Sequence, residues 1–148
     1  MRAVAIDLDA ALGDTRPLWR EWLADVARRA RVDVPEDASA EQLDELVGNW
    51  RTLLERYAEE HAPVHLRPSA EAAAALRRLQ AAGTEIGIFT ESPEPLARVA
   101  LAQLGAARRV AVLESGPGAL DRLLARLGPD TPVIRSREDL AALGWSRP

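Results

Sequence analysis

The sequence predicts an α/β fold: a short parallel sheet in a three-layer core, with a small helical insertion after the first strand. From residue 69 onward, helical and strand patterns alternate, the rhythm of a parallel sheet covered on both faces. Ahead of that stretch stands one apolar run, residues 3–8, ending in acids. Two helical patterns between about residues 16 and 66 follow it with no strand between them.

Ala3 to Leu8 reads as a buried strand whose end opens into a loop. From residue 17 to 30, Leu18, Trp19, Trp22, Leu23 and Val26 share one face at helical spacing. Residues 32–38 are polar, carry Pro35 and read as a linker. Ser39-Ala40-Glu41-Gln42 is a capping box, in which the serine and glutamine side chains satisfy the first free N–H groups of a helix. Leu43, Leu46, Val47, Trp50, Leu53, Leu54 and Tyr57 then make one apolar stripe, and Pro63 and Pro68 bracket the exit. Ser69 caps a third helix, which Gly83 stops. Strands are expected at 85–90, 109–113 and 132–135, and helices at 93–104, 117–127 and after Ser136, each helix stopped by a glycine: Gly105, Gly128 and Gly144.

The 148 residues fit one compact domain, and 47% hydrophobic with 28% charged residues describes a folding globule. A net charge of −4 argues against a domain-wide nucleic-acid footprint. The absence of cysteine removes disulfides, thiolate metal sites and cysteine nucleophiles together. All the basic side chains apart from the two histidines are arginines, so a mechanism that needs a lysine ammonium must use arginine instead. No apolar run is long enough to cross a bilayer, and the first residues reach Asp7 too soon for a signal peptide. The chain is read as cytoplasmic.

Chemistry concentrates at Asp7-Leu8-Asp9. The C-terminal end of a strand is where open parallel sheets bind ligands. Two carboxylates at i and i+2 can converge there, one attacking a phosphorus centre and the other moving a proton. They can equally share a hard cation such as Mg2+, or stand as two solvated loop acids.

The segment Ala3-Val4-Ala5-Ile6-Asp7-Leu8-Asp9-Ala10-Ala11-Leu12-Gly13-Asp14-Thr15 resembles the first motif of the haloacid dehalogenase-like superfamily: an apolar strand, Asp-x-Asp-Gly-Thr-Leu, a variable residue, Asp, then Ser or Thr. Glu85-Ile86-Gly87-Ile88-Phe89-Thr90 resembles its second motif, and the helix from Ser69 through Leu76 and Leu79 to Gly83 is similar to the one that precedes it. The resemblance covers nearly the whole chain outside the insertion. It implies a Rossmannoid core of residues 1–15 and 67–148 with sheet order 4-1-2-3, and a two-helix cap of residues 16–66. It also implies Mg2+-dependent hydrolysis of phosphate monoesters. Carried over, Asp7 is the nucleophile, Asp9 the general acid and base, and both belong to the metal site. Thr90 would hydrogen-bond the transferring phosphoryl group. A dehalogenase fits less well, because that branch usually lacks the second Asp, here Asp9.

The chain departs from this pattern in four places. Ala10 and Ala11 replace the Gly and Thr after the second Asp. Gly116, in Glu114-Ser115-Gly116-Pro117-Gly118, takes the place of the family's Lys, and Arg108, Arg109 and Arg122 are the nearby substitutes. Arg135, in Val133-Ile134-Arg135-Ser136-Arg137-Glu138-Asp139, aligns with the Mg2+-binding Asp, leaving Asp139 at a later acidic position or as a helix cap. The chain also ends soon after this helix, without the extra edge strand. Phosphoryl transfer brings a negative nucleophile to a negative phosphate, and neutralising that repulsion carries most of the catalysis. Losing one preorganised electrostatic partner costs about 3 kcal/mol, roughly a hundredfold in rate. Arg135 would either pair with Asp7, replacing the metal's charge, or grip phosphate directly. The leading reading is therefore a divergent member with weak or lost catalysis and a retained binding or interaction role, its ligand a small phosphorylated molecule. The alternative is an active phosphatase with Asp7 as nucleophile and a rearranged metal site.

Three further features have ordinary structural readings. His61 and His65 have the spacing of a helical metal pair, but Pro63 between them argues against regular helix, and they read as exposed loop residues. Trp19, Trp22 and Trp50 read as the packing of the two cap helices, mostly inward with one at a rim. The sharper alternative is a surface for a protein partner or a second copy. Ser92 and Ser115 read as a helix cap and a loop residue. Membrane and nucleic-acid partners are not expected.

Overall fold

The computed structural model describes residues 1–143. In chain order these form β1 (Ala3–Asp7), a π-helical turn (Leu8–Leu12), α1 (Arg16–Ala30), α2 (Ala40–Leu46), α3 (Trp50–His65), α4 (Ala70–Ala81) and β2 (Glu85–Thr90). There follow α5 (Glu94–Gln103), a 3-10 turn (Ala107–Arg109), β3 (Val112–Ser115), α6 (Ala119–Leu127), β4 (Val133–Ile134) and α7 (Arg137–Ala142). The sheet is parallel, in the order β3-β2-β1-β4, which is the expected 4-1-2-3 read from the other edge.

The two sheet faces follow from the period of the strands. Ala5, Phe89 and Val112 point to one side and pack with Ala119 and Leu123 of α6. Val4, Ile6, Ile86 and Ile88 point to the other, into the main core with Leu76 and Leu79 of α4, Leu96 of α5 and Leu140 of α7. The inserted helices extend this same cluster, through Leu18, Trp22, Trp50 and Leu54, and α3 packs along α5. Among the described residues, no helix is long and apolar enough to cross a membrane.

The insertion differs from expectation in two respects. It holds three helices, because the stripe from Leu43 to Tyr57 is broken at Gly48, which takes a positive φ of 79° as α2 ends and α3 begins. The capping box does open α2: the Ser39 side chain accepts from the Gln42 N–H and the Gln42 side chain from the Ser39 N–H. Pro63 does not end α3, which runs on to His65. Proline deprives one carbonyl, that of Glu59, of its helical partner, and Glu59 lies on the exposed face where water can serve it.

The third strand begins at Val112 rather than residue 109, since Ala107–Arg109 is a 3-10 turn. Pro117 and Gly118 precede α6 rather than start it. The expected stop of the last helix at Gly144, and the sheet edge beyond it, lie outside the described residues.

Candidate functional site at the carboxyl end of the sheet

The end of β1 sets the site. Asp7 is the last residue of the strand, and its Oδ1 accepts hydrogen bonds from the N–H groups of Asp9 (3.1 Å) and Ala10 (3.4 Å). It thereby caps the π turn, a wide turn frequent at functional sites. The turn closes with Gly13 N–H donating to the Leu8 carbonyl at 2.9 Å. Ala10, in place of the family's glycine, fits this turn without a positive φ.

Asp9 lies inside the turn and is the hub of a hydroxyl network. Its Oδ1 accepts from the Thr15 N–H (2.8 Å) and the Thr15 hydroxyl (2.6 Å), and its Oδ2 accepts from the Thr90 hydroxyl (2.7 Å). Thr15 Oγ1 also lies 2.6 Å from Ser92 Oγ, and the Ser92 N–H donates to Thr90 Oγ1 at 3.2 Å. Thr15, Thr90 and Ser92 are all buried. The Thr90 hydroxyl, assigned by resemblance to a phosphoryl group, is therefore directed at Asp9. Ser92 is not the cap of α5, a position that Pro93 takes, but a member of this network.

Burial raises the Asp7 pKa above its usual 3.8, and the neighbouring Asp9 adds to the rise. The two N–H donors and the more distant Arg135 oppose it. Arg135 follows β4, whose Ile134 pairs with Ile6, so it comes level with Asp7 on the adjacent strand. It does not form the ion pair with Asp7. Its guanidinium carbon instead lies 5.6 Å from the centroid of Phe89, the residue in register with Asp7 on β2.

Of the three arginines that could stand in for the lysine, Arg108 is exposed in the 3-10 turn, and Arg109 and Arg122 are engaged. Arg122 donates to the carbonyls of Ser115 and Pro117 and, with Arg126, faces Glu114 at 3.6 Å. Arg109 bonds Gln80. Gly116, at the family's lysine position, has a φ of 85° and open space where a side chain would start.

A further cation, Arg16, opens α1 and was not singled out by its sequence position. Asp14 grips it with two bonds, 2.8 and 2.9 Å, and these raise its pKa, with Asp9 and Asp7 contributing at longer range. The same contact lowers the pKa of Asp14. The signal for Arg16 was Asp14 itself, an acid two residues before an arginine at a helix start.

The fit to a divalent cation is poor. Mg2+ can be held by one or two carboxylates completed by water and substrate oxygens. Here both carboxylate oxygens of Asp9 already accept from the protein, and the Arg135 guanidinium, whose charge reaches Asp7, repels a cation. Among the described residues no three His, Cys, Asp or Glu side chains gather to hold a metal ion. His61 and His65 do share a face of α3, half-buried rather than in an exposed loop, but each is occupied. His61 Nδ1 lies 2.9 Å from the Tyr57 carbonyl, and His65 Nε2 lies 2.9 Å from Glu21 Oε2.

Comparison with solved structures places this architecture. CbbY from Rhodobacter sphaeroides in complex with phosphate matches with a TM-score of 0.60 and 16% identity, over 86% of this chain and 72% of that one. A haloacid dehalogenase-like family hydrolase from Streptococcus pneumoniae matches with 0.57 and 15%, over 90% and 74%. A β-phosphoglucomutase from Clostridium difficile matches with 0.55 and 15%, over 86% and 71%. No family model and no curated protein matches the sequence. The fold is that of the haloacid dehalogenase-like hydrolases, as the motifs around Asp7 and Thr90 implied.

Proposed function

We propose that this chain is a divergent haloacid dehalogenase-like protein that binds a small phosphorylated ligand at the carboxyl end of its sheet and whose phosphoryl-transfer activity is weak or lost. One observation carries the reading: the edge presents two carboxylates and the Arg135 guanidinium over Phe89, without a lysine and, among the described residues, without the third acid that phosphoryl transfer on this fold would draw on. An aspartate nucleophile and a phosphate dianion repel each other, and catalysis in this reaction class is mainly the removal of that repulsion. One exposed guanidinium at the mouth supports binding better than turnover.

The second reading, an active phosphatase, is favoured by Asp7 itself. Its Oδ1 is fixed by two N–H groups, while Oδ2 has no partner among the described residues and is free to attack. A screen of phosphate monoesters with Mg2+ and with Mn2+ separates the two. The proposal expects little turnover, unchanged in Asp7→Asn. Robust turnover that Asp7→Asn abolishes would establish the second reading.

A cap-mediated contact with a protein partner or a second copy belongs to the same proposal, as does a cytoplasmic location. Trp22 and Trp50 are buried and Trp19 is partly so, its Nε1 donating to the Glu36 carbonyl at 3.0 Å. The apolar side chains of the insertion available to such a contact are Leu46, Leu53 and Val64, which are 38%, 40% and 73% exposed.

A further inference from the structure

We propose that the carboxyl end of the sheet binds a phosphate-type oxyanion without any divalent cation, the Arg135 guanidinium supplying the positive charge. The inference rests on the phosphate-binding reading above and adds how the charge is balanced. Arg135 stands level with Asp7 on one side, and Phe89 flanks Asp7 on the other. Phe89 is buried, so its ring is a fixed platform, and the guanidinium rests over it at 5.6 Å. A guanidinium held on an aromatic face keeps its N–H donors in the plane of the fork, free for an acceptor.

Among the described residues those donors have no hydrogen-bond or ion-pair partner. The neighbouring arginines are committed: Arg16 to Asp14, Arg122 to loop carbonyls, and Arg137 to the carbonyls of Leu12 (2.9 Å) and Ala11 (3.4 Å). Arg135 is thus the cation at this edge with its bidentate capacity intact, and a phosphate offers two oxygens to match it. A metal ion in the same space would meet that guanidinium, whereas an anion is attracted by it.

Calorimetric titration of the whole chain with inorganic phosphate tests this, in EDTA and in MgCl2 at equal ionic strength. Affinity is expected to agree within about twofold between the two buffers. Arg135→Gln is expected to weaken binding about tenfold or more, the loss typical of a charge-assisted pair. Arg98→Gln removes the same charge from an exposed pair with Glu94 on α5 and is expected to leave binding unchanged. The thermal midpoint of Arg135→Gln checks that the fold is intact. Wild-type binding that requires Mg2+, or Arg135→Gln binding at wild-type strength, overturns the inference and leaves the phosphate-binding reading standing. Absence of binding in both buffers overturns the two together.

Discussion

Asp9→Ala removes the acceptor for three donors at once, and its cost can be worked from the structure. The Thr15 N–H, the Thr15 hydroxyl and the Thr90 hydroxyl all point at this carboxylate, at 2.8, 2.6 and 2.7 Å. Hydrogen bonds to a charged group contribute about 1.5–3 kcal/mol each, and the low end applies to a half-buried carboxylate. Part of that is recovered, because the Thr15 hydroxyl can turn to donate to Ser92 Oγ, whereas Thr90 Oγ1 still accepts from the Ser92 N–H but its O–H loses its acceptor. The Thr15 N–H, in a fully buried residue, has no such substitute. The expected loss is about 3 kcal/mol. Asp9→Asn keeps one oxygen for Thr15 and offers its NH2 to a rotated Thr90 hydroxyl, so about 1 kcal/mol is expected. Urea unfolding followed by circular dichroism reads both, as midpoint shifts at constant slope, on the order of 1–2 M for the alanine variant. An Asp9→Ala protein within 1 kcal/mol of wild type would refute the claim that this network fastens the π turn to β2. So would an asparagine variant as unstable as the alanine one.

Three other outcomes follow from the same structure. Asp7 has a raised pKa, so between its ordinary value and the folded one the native state holds more protons than the unfolded state, and stability falls as pH rises through that window. Asp7→Asn, which keeps the Oδ1 acceptor, is therefore expected to stabilise the protein at neutral pH and to lose that advantage as pH falls through the folded pKa towards 3.8; thermal midpoints measured across pH check it. Trp22→Ala is expected to cost about 3–5 kcal/mol in denaturant and Trp19→Ala clearly less, because Trp22 is 1% exposed while Trp19 lies at the rim. Acrylamide quenching in a Trp145→Phe background should then find one accessible tryptophan and two protected ones. Gly87→Ala places a Cβ 2.7 Å from Leu127 Cδ1 and 2.8 Å from Leu123 Cδ1, so α6 must repack at a cost of about 1–3 kcal/mol, seen as a lowered urea midpoint.

What was legible in the sequence was local. The apolar run ending in Asp7, the capping box at Ser39 and the glycine-stopped helices each state their structure within a few residues. The resemblance of two motifs then supplied the strand order that no local pattern contains. Missed features arose where one local rule met another or where contacts were remote. The stripe from Leu43 to Tyr57 outvoted Gly48, though a glycine with positive φ is what divides it. Pro63 reads as a helix breaker by itself, yet the carbonyl it deprives, that of Glu59, lies on the exposed face, so α3 continues. Ser92 looked like a cap because its partner, Thr15, is 77 residues away.

Geometry and charge are separable in this site, and that separation is what allows the fold to persist while its chemistry changes. Asp7 caps the π turn through one oxygen, and Asp9 ties that turn to Thr15 and Thr90; both tasks need side-chain acceptor oxygens and no cation. Gly116 and Arg135 take no part in these bonds. The Gly116 N–H does bond the carbonyls of Thr90 and Ser92, a bond open to any residue but proline that can hold the positive φ of 85°. The side-chain bonds that position the two acids therefore draw on neither residue 116 nor residue 135, whereas phosphoryl transfer is acutely sensitive to the charges nearby. Under the proposed function, an arginine at 135 favours an anion at this edge, and an acid there would favour a cation.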